Sequence, residues 1–283
     1  MIGVGNELGV LAARAQGAIP RLPGDYEKDG ILYCGKCNTP KQTWASFDDH
    51  YFKAPCMCKC MEEGNAKKDA ERKERERQAE IRNMRTNGVQ DKALIRYTFE
   101  TAQDTPLIQT AKRYVEHFDE LRKKGAGLLL WGGVGNGKTF AAACIANALI
   151  DQGKMVLLTN FPKLLSELSG MYPEDRHGYI GDLMKYSLLV IDDFGTERKT
   201  DFGYEQVYSI IDAWYTSGIP MVMTTNLMLD EMKKPSSVGY DRIYDRVLER
   251  CVPVKSSGKS FRKEKAKDNL QWARELLRSD GDV

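Results

Sequence analysis

From about Leu94 to Val252 the chain alternates short apolar runs with stretches of helical periodicity. The runs Leu128-Leu129-Leu130-Trp131, Met155-Val156-Leu157-Leu158, Leu188-Leu189-Val190-Ile191 and Met221-Val222-Met223-Thr224 lack the every-second-residue polarity of a half-exposed strand. Successive side chains of a strand point to opposite faces, so these runs predict strands buried on both sides. The expected fold is therefore α/β, a parallel central sheet flanked by helices. Upstream, Met61 to Arg85 is almost wholly polar with both signs interleaved; Asp69 with Lys73 and Glu71 with Arg75 are spaced to meet on one helical face. That texture predicts a solvated spacer helix rather than a nucleic-acid-binding arm, broken at Asn87-Gly88. Residues 1 to about 60 are rich in Gly, Pro and Cys and show little helical period. Beyond Lys255 the chain is basic (Lys259, Arg262, Lys263, Lys265, Lys267) and then amphipathic through Leu270, Trp272 and Leu276. The expected division is 1–60, a small Cys-rich domain; 61–93, a charged linker helix; 94–263, the α/β domain; and 264–283, a C-terminal helix or tail.

A length of 283 residues allows one large domain with a small one. With 42 basic and 40 acidic residues the formal charge is +2, which excludes a wholesale polycationic nucleic-acid coat and leaves room for a local basic surface. No stretch approaches the roughly 18 uninterrupted apolar residues of a membrane helix. The first 23 residues carry Glu7 and Arg14 and lack a basic start before an apolar core, unlike a secretory signal. A cytoplasmic location is expected, and with it reduced cysteines.

Gly132-Gly133-Val134-Gly135-Asn136-Gly137-Lys138-Thr139 matches G-x-x-x-x-G-K-[ST], follows an apolar strand and opens a helix at Phe140. Such a loop turns backbone N–H groups inward around phosphate oxygens at a helix N-terminus. Lys138 is placed to neutralise the β- and γ-phosphates, and Thr139 to offer its hydroxyl to Mg2+. The run 188–191 ends in Asp192-Asp193; Asp192 is expected to hold Mg2+ through its water shell and Asp193 to polarise the attacking water. The next strand ends in Thr224-Thr225-Asn226, where the amide could reach between the γ-phosphate and that water. Downstream lie Arg242, Arg246, Arg250 and Arg262, and spacing does not choose among them for an arginine delivered to a neighbour's phosphate. The absence of N-K-x-D favours ATP over GTP.

Five of the seven cysteines fall between Cys34 and Cys60. Cys34-Gly35-Lys36-Cys37 is a C-x-x-C knuckle, followed after eighteen residues by Cys56-Met57-Cys58-Lys59-Cys60. Tetrahedral zinc takes four such ligands. Cys34 and Cys37 with two of Cys56, Cys58 and Cys60 are expected to supply them, His50 being a further candidate. A site closed by four protein ligands is structural, and it would hold together a segment too small to bury much apolar surface. Cys144 reads as core filler, and Cys251 shows no partner.

The order GGVGNGKT, LLVIDDFG, MTTNL, RIYDRVLER and GKSFR resembles the DnaC/DnaI-type replicative helicase loaders, AAA+ ATPases related to the IstB-type transposition ATPases. The resemblance covers roughly residues 94–263. It implies nucleotide contact along 132–140, Asp192 and Asp193 as the metal and water pair, Asn226 as a sensor, Arg246 as a trans-acting finger and Arg262 as a second sensor. Family members often carry Asp-Glu where this chain has Asp192-Asp193. The resemblance also implies single-stranded DNA binding by the segment after the second strand, Phe161 to Tyr172 with Arg176 and Tyr179. There Lys163 and Arg176 would meet phosphates and the aromatics would stack on bases, while Leu164, Leu165 and Leu168 suit a core. It further implies a zinc module gripping a DnaB-type ring helicase, self-association through the ATPase domain, and weak ATP hydrolysis stimulated by DNA or partner. The alternative is an IstB-like transposition helper ATPase.

Overall fold

Short runs between Gly, Pro and Asp-rich turns favour hairpins over helices in the first sixty residues. The computed structural model, which describes residues 21–47, 50–196, 200–234, 238–257, 260, 270–272, 274 and 276–277, places two antiparallel pairs there. They are β1 (Tyr26–Lys28) with β2 (Ile31–Tyr33), and β3 (Gln42–Phe47) with β4 (His50–Pro55). The charged run lies in one helix, α1 (Lys59–Gly88), exposed along most of its length. Two compact units divide at Gln78 and Ala79.

The division departs from the expected boundary at 93/94 for a packing reason. Within the second unit Ile81, Val89 and Leu94 are buried in the same core as the sheet. The N–H of Gln90 donates to the Leu158 carbonyl at 3.2 Å. At Gly88 a Cβ would stand 2.1 Å from the Val156 carbonyl oxygen, so only glycine lets the chain pass there. The last turns of the charged helix are thus part of the second unit, although their polarity reads as linker.

Helices α2 (Pro106–Glu116) and α3 (Phe118–Lys123) follow two short 3-10 turns, Lys92–Arg96 and Phe99–Thr101. The α2 start has its N-cap, Thr105, accepting from the N–H of Ile108, and Pro106 at the first position, where its missing N–H costs nothing. Next come β5 (Gly127–Trp131), α4 (Lys138–Asp151), β6 (Val156–Asn160), α5 (Phe161–Ser169), α6 (Pro173–Leu183), β7 (Leu188–Phe194), α7 (Asp201–Ser217), β8 (Met221–Thr225), α8 (Leu229–Lys233), α9 (Val238–Arg250) and β9 (Cys251–Lys255). The five strands β5–β9 form a parallel sheet in the order β6-β7-β8-β5-β9. Its two faces divide the apolar runs by parity. Leu128, Leu130, Leu188, Val190 and Val222 join the core under α2 and α4, whereas Leu129, Leu189, Ile191, Met221 and Met223 join the core under α5, α6, α7 and α9. The four apolar runs are the cores of β5, β6, β7 and β8, as their pattern predicts. The fifth strand, β9, shows no such run: it lies at the edge opposite β6, its centre is exposed, and Pro253 is tolerated because one side of the strand has no ladder to complete. Among the described residues, no helix is long and apolar enough to cross a membrane.

Candidate nucleotide and metal sites

A parallel sheet brings all its carboxyl ends to one edge, and the crevice beyond that edge is where such folds bind ligands. Here the edge collects the loop after β5, the end of β7 and the end of β8. The loop 132–137 turns into α4 through Gly137, the N-cap residue, whose φ of 86° is open to glycine and strained for other residues. Lys138, 5% exposed, donates from Nζ to the carbonyls of Gly132 (2.9 Å) and Gly133 (2.7 Å) and to Asn226 Oδ1 (2.8 Å). The Asn136 carbonyl accepts from the Ser256 hydroxyl at 2.7 Å, which fastens the loop to the end of the edge strand. Val134 at the loop tip is exposed, and the Phe140 ring packs on Tyr97 at 4.8 Å between centroids.

Asp192 Oδ1 accepts two hydroxyls, from Thr139 at 2.9 Å and Thr224 at 2.6 Å. Burial holds its carboxyl above the usual carboxylate range; nearby Asp193 pushes the same way, and the two hydroxyls pull against both. Between Ile191↔Met223 and Phe194↔Thr225 the β7–β8 register slips, so Asp192 and Asp193 together face the single residue Thr224. This bulge turns Asp193 to a φ of 54°, a left-handed conformation that costs a non-glycine residue about 1–2 kcal/mol. The Asp193 N–H, out of ladder register, donates to Thr224 Oγ1 at 2.9 Å, and its carbonyl accepts from the Thr196 hydroxyl at 2.7 Å. The ammonium of Lys138 thus bonds the amide of Asn226, and the hydroxyl of Thr139 bonds the carboxylate of Asp192, two pairs at the same sheet edge. An ammonium at a helix N-terminus suits phosphate; hydroxyl and carboxylate oxygens suit a hard divalent cation. Thr224 was not among the expected residues. The only signal for it is a polar residue closing an apolar run two positions before Asn226.

Other expected residues fall elsewhere. Arg246 is turned onto its own chain: it ion-pairs with Asp212 (2.5 Å) and lies over the rings of Tyr208 (5.1 Å) and Tyr215 (5.3 Å). Arg250 donates to the Tyr215 carbonyl at 2.9 Å. Arg242 on the same helix is exposed, and Arg262 lies outside the described residues. After β6, Phe161, Leu164 and Leu168 are buried in the core. Arg176 donates to the carbonyls of Leu168 (3.0 Å) and Met171 (3.3 Å), satisfying the end of α5, and Tyr179 hydrogen-bonds the Glu167 carboxylate. Tyr172 is 74% exposed. Of the basic groups expected to meet phosphates, Arg176 is thus occupied with main-chain carbonyls.

In the first unit the sulfurs of Cys34, Cys37, Cys58 and Cys60 lie within 4.8 Å of one another. Cys34 and Cys60 are 3.6 Å apart, and Cys58 and Cys60 3.5 Å. The knuckle is tight because Gly35 abuts Gly24, whose carbonyl oxygen would lie 2.0 Å from a Cβ. Asp25 takes the N–H of Gly35 (3.0 Å) and that of Leu22 (2.8 Å), and pairs with buried Lys41 at 2.6 Å. The helix α1 starts between Cys58 and Cys60, so its first turn folds Cys60 back on Cys34. The Thr39 hydroxyl and the Cys60 N–H hold the Cys37 thiol below the ordinary thiol range, while hydrogen bonds to Cys58 and Cys34 push Cys60 up. Neither Cys56, whose thiol donates to the Pro40 carbonyl at 3.4 Å, nor exposed His50 belongs to the cluster. Four thiols on one point are the donor set for tetrahedral zinc. Cys144 and Cys251 are buried, and burial pushes each thiol up to about 12.

A family model described as IstB-like ATP binding protein matches residues 57–269. Among curated proteins, the replicative helicase loader DnaC of Escherichia coli K12 is 29% identical over 154 residues, covering 53% of this chain and 60% of DnaC. The replicative helicase loader DnaI of Bacillus subtilis is 25% identical over 167 residues, 55% of this chain and 53% of DnaI. An insertion-sequence protein of Mycobacterium tuberculosis, Rv3427c, is 26% identical over 144 residues, covering 50% of this chain and 57% of that protein. The chain therefore spans between half and three-fifths of the length of these relatives. A crystal structure of DnaI superposes with a TM-score of 0.51 at 25% identity, covering 62% of this chain and 98% of that one. The crystal structure of the DnaC helicase loader gives the same TM-score at 21% identity, over 59% of this chain and all of its own, and shows the shared fold. Motifs, fold and relatives all carry the likeness to DnaC/DnaI-type AAA+ ATPases, and the chain belongs to the IstB-like ATP-binding protein family.

Proposed function

We propose that the chain is an ATP-dependent loader of a DnaB-type ring helicase in DNA replication, acting in the cytoplasm, with ATP occupancy as its switch. The observation that carries the nucleotide part is the meeting of Lys138, Thr139, Asp192 and Asn226 at one sheet edge. Lys138 would exchange its carbonyl and amide acceptors for β- and γ-phosphate oxygens. Thr139 and Asp192 would hold Mg2+, which when bound withdraws charge from the phosphates. Asp193 would orient a water for attack and accept its proton, and Asn226, released by Lys138, would sense the γ-phosphate. Asp193 is one methylene shorter than the Glu common in the family, which suits slow hydrolysis and a switch more than sustained work.

Zinc on Cys34, Cys37, Cys58 and Cys60 would fix the first unit as a recognition head. The family model begins at residue 57, so the hairpins and the first knuckle lie outside the shared ATPase. A dedicated head is what a loader needs for its helicase, and it favours this reading over the transposition helper that the insertion-sequence relative suggests. For assembly through the ATPase unit, Arg242 is better placed than Arg246 to reach a neighbour, because Arg246 is neutralised by Asp212 within its own chain. Single-stranded DNA contact by the α5–α6 segment would rest on Lys163 and exposed Tyr172, with Arg176 left to its structural bonds.

The test is a pull-down of a DnaB-type helicase with full-length wild type, Lys138→Ala and Cys37→Ser, with and without ATP and Mg2+. Retention by wild type, loss of ATP response in the lysine variant and loss of capture in the cysteine variant are expected. Capture of a transposase in place of the helicase would favour the second reading. Absence of ATP binding by wild type would sink both.

A further inference from the structure

We infer that Thr224 is a positioning residue for the acidic pair: its hydroxyl builds the β7 bulge and sets the aim of both Asp192 and Asp193. The inference rests on the reading of those two residues as the magnesium and water groups. The bulge sets two residues against one, and the extra residue forfeits its place in the ladder. Without a substitute, the Asp193 N–H would be stranded beside a half-buried carboxylate, and the left-handed backbone would be held at its carbonyl, by Thr196, but not at its N–H. Thr224 supplies the substitute from its side chain. A hydroxyl has one proton to give and lone pairs to receive with, and both kinds of capacity are used here. The lone pair takes the Asp193 N–H at 2.9 Å, and the proton goes to Asp192 Oδ1 at 2.6 Å. One oxygen thereby fixes the backbone of one acid and the carboxylate of the other.

Thr139 also donates to Asp192 Oδ1, but it follows the phosphate loop, where on that reading its hydroxyl would turn to Mg2+. Thr224 is wholly buried on β8 and has no such competing duty. It is the anchor that stays when the site fills. Side-chain groups that orient metal ligands in this way commonly matter almost as much as the ligands themselves.

The experiment uses the full-length chain, wild type against Thr224→Val, Thr224→Ala, Thr224→Ser and Asp192→Asn. ATP binding is titrated calorimetrically in EDTA and across a Mg2+ series, and steady-state turnover is measured at saturating ATP. In the two hydroxyl-free variants the Mg2+ midpoint should rise and turnover fall by about ten- to a hundredfold. ATP affinity in EDTA should be unchanged, and serine should restore both quantities. If valine and alanine match wild type while Asp192→Asn shifts the midpoint, the role given to Thr224 is overturned and the acidic-pair reading stands. If Asp192→Asn shifts nothing, that reading fails first. Serine as impaired as valine would trace the effect to packing and overturn the inference. Loss of the native far-UV signal in both hydroxyl-free variants would assign Thr224 to the fold alone, with the same consequence.

Discussion

If Cys34, Cys37, Cys58 and Cys60 hold zinc as proposed, its removal should unfold the first unit and leave the second intact. Among the described residues of the first unit only Ile31, Cys34, Lys41 and Cys58 are buried. Burying one isoleucine contributes about 1.5–3 kcal/mol, whereas four-ligand zinc binding in small domains contributes about 10–16 kcal/mol of apparent free energy. Metal ligation therefore outweighs apolar burial several-fold. The sulfur separations of 3.5 and 3.6 Å sit close to the roughly 3.8 Å edge of a tetrahedron with 2.3 Å Zn–S bonds. Zinc content is to be assayed by chromophoric release after thiol blocking, alongside amide-exchange protection of the β3–β4 hairpin. Chelation, or Cys37→Ser, should abolish both zinc and hairpin protection while the thermal transition of the sheet unit persists. Cys56→Ser should retain zinc, because its thiol makes only a weak 3.4 Å bond to a carbonyl. Equal zinc loss in the Cys56 and Cys37 variants, or a hairpin still protected after chelation, would refute the four-sulfur assignment.

The two helix arginines should separate by assay. Arg246→Ala removes an ion pair and two ring contacts and should lower stability by about 1–3 kcal/mol in urea unfolding, whereas Arg242→Ala should stay within about 0.5 kcal/mol. Conversely, concentration-dependent ATPase activity should fall in the Arg242 variant, and the reverse pattern would restore Arg246 as the finger. The buried carboxyl of Asp192 sets a pH dependence. Its folded pKa lies above the unfolded value, so ionisation costs stability as pH rises through the folded value and the cost vanishes below the unfolded one. Neutral Asp192→Asn should therefore melt higher than wild type at pH 7 without nucleotide, with the gap closing toward about pH 4. A variant less stable than wild type, or a gap independent of pH, would contradict this.

Local physics made much of the molecule legible in its sequence. Short apolar runs of both parities between turn signals suit strands covered on both faces, and the loop 132–139 carries its glycines, lysine and threonine in the order of a phosphate-binding turn. The knuckle at Cys34–Cys37 is equally local. Decisions that joined distant segments were not legible. Cys58 and Cys60 rather than Cys56 complete the sulfur cluster because α1 begins between them and its first turn carries Cys60 back to Cys34. Arg246 and Arg176 look like free cations in sequence, and are engaged because tyrosines, Asp212 and helix-end carbonyls reach them from other elements. Strand β9 carries no continuous apolar run because its centre stays exposed, and it tolerates Pro253 because one of its sides has no ladder to complete. Thr224 is the extreme case: a single hydroxyl whose meaning depends on a register slip between two strands, which no periodicity within either strand records. Composition and spacing fix what each segment can become by itself, while pairing, register and burial depend on contacts between residues far apart in the chain, and those exist only once it has folded.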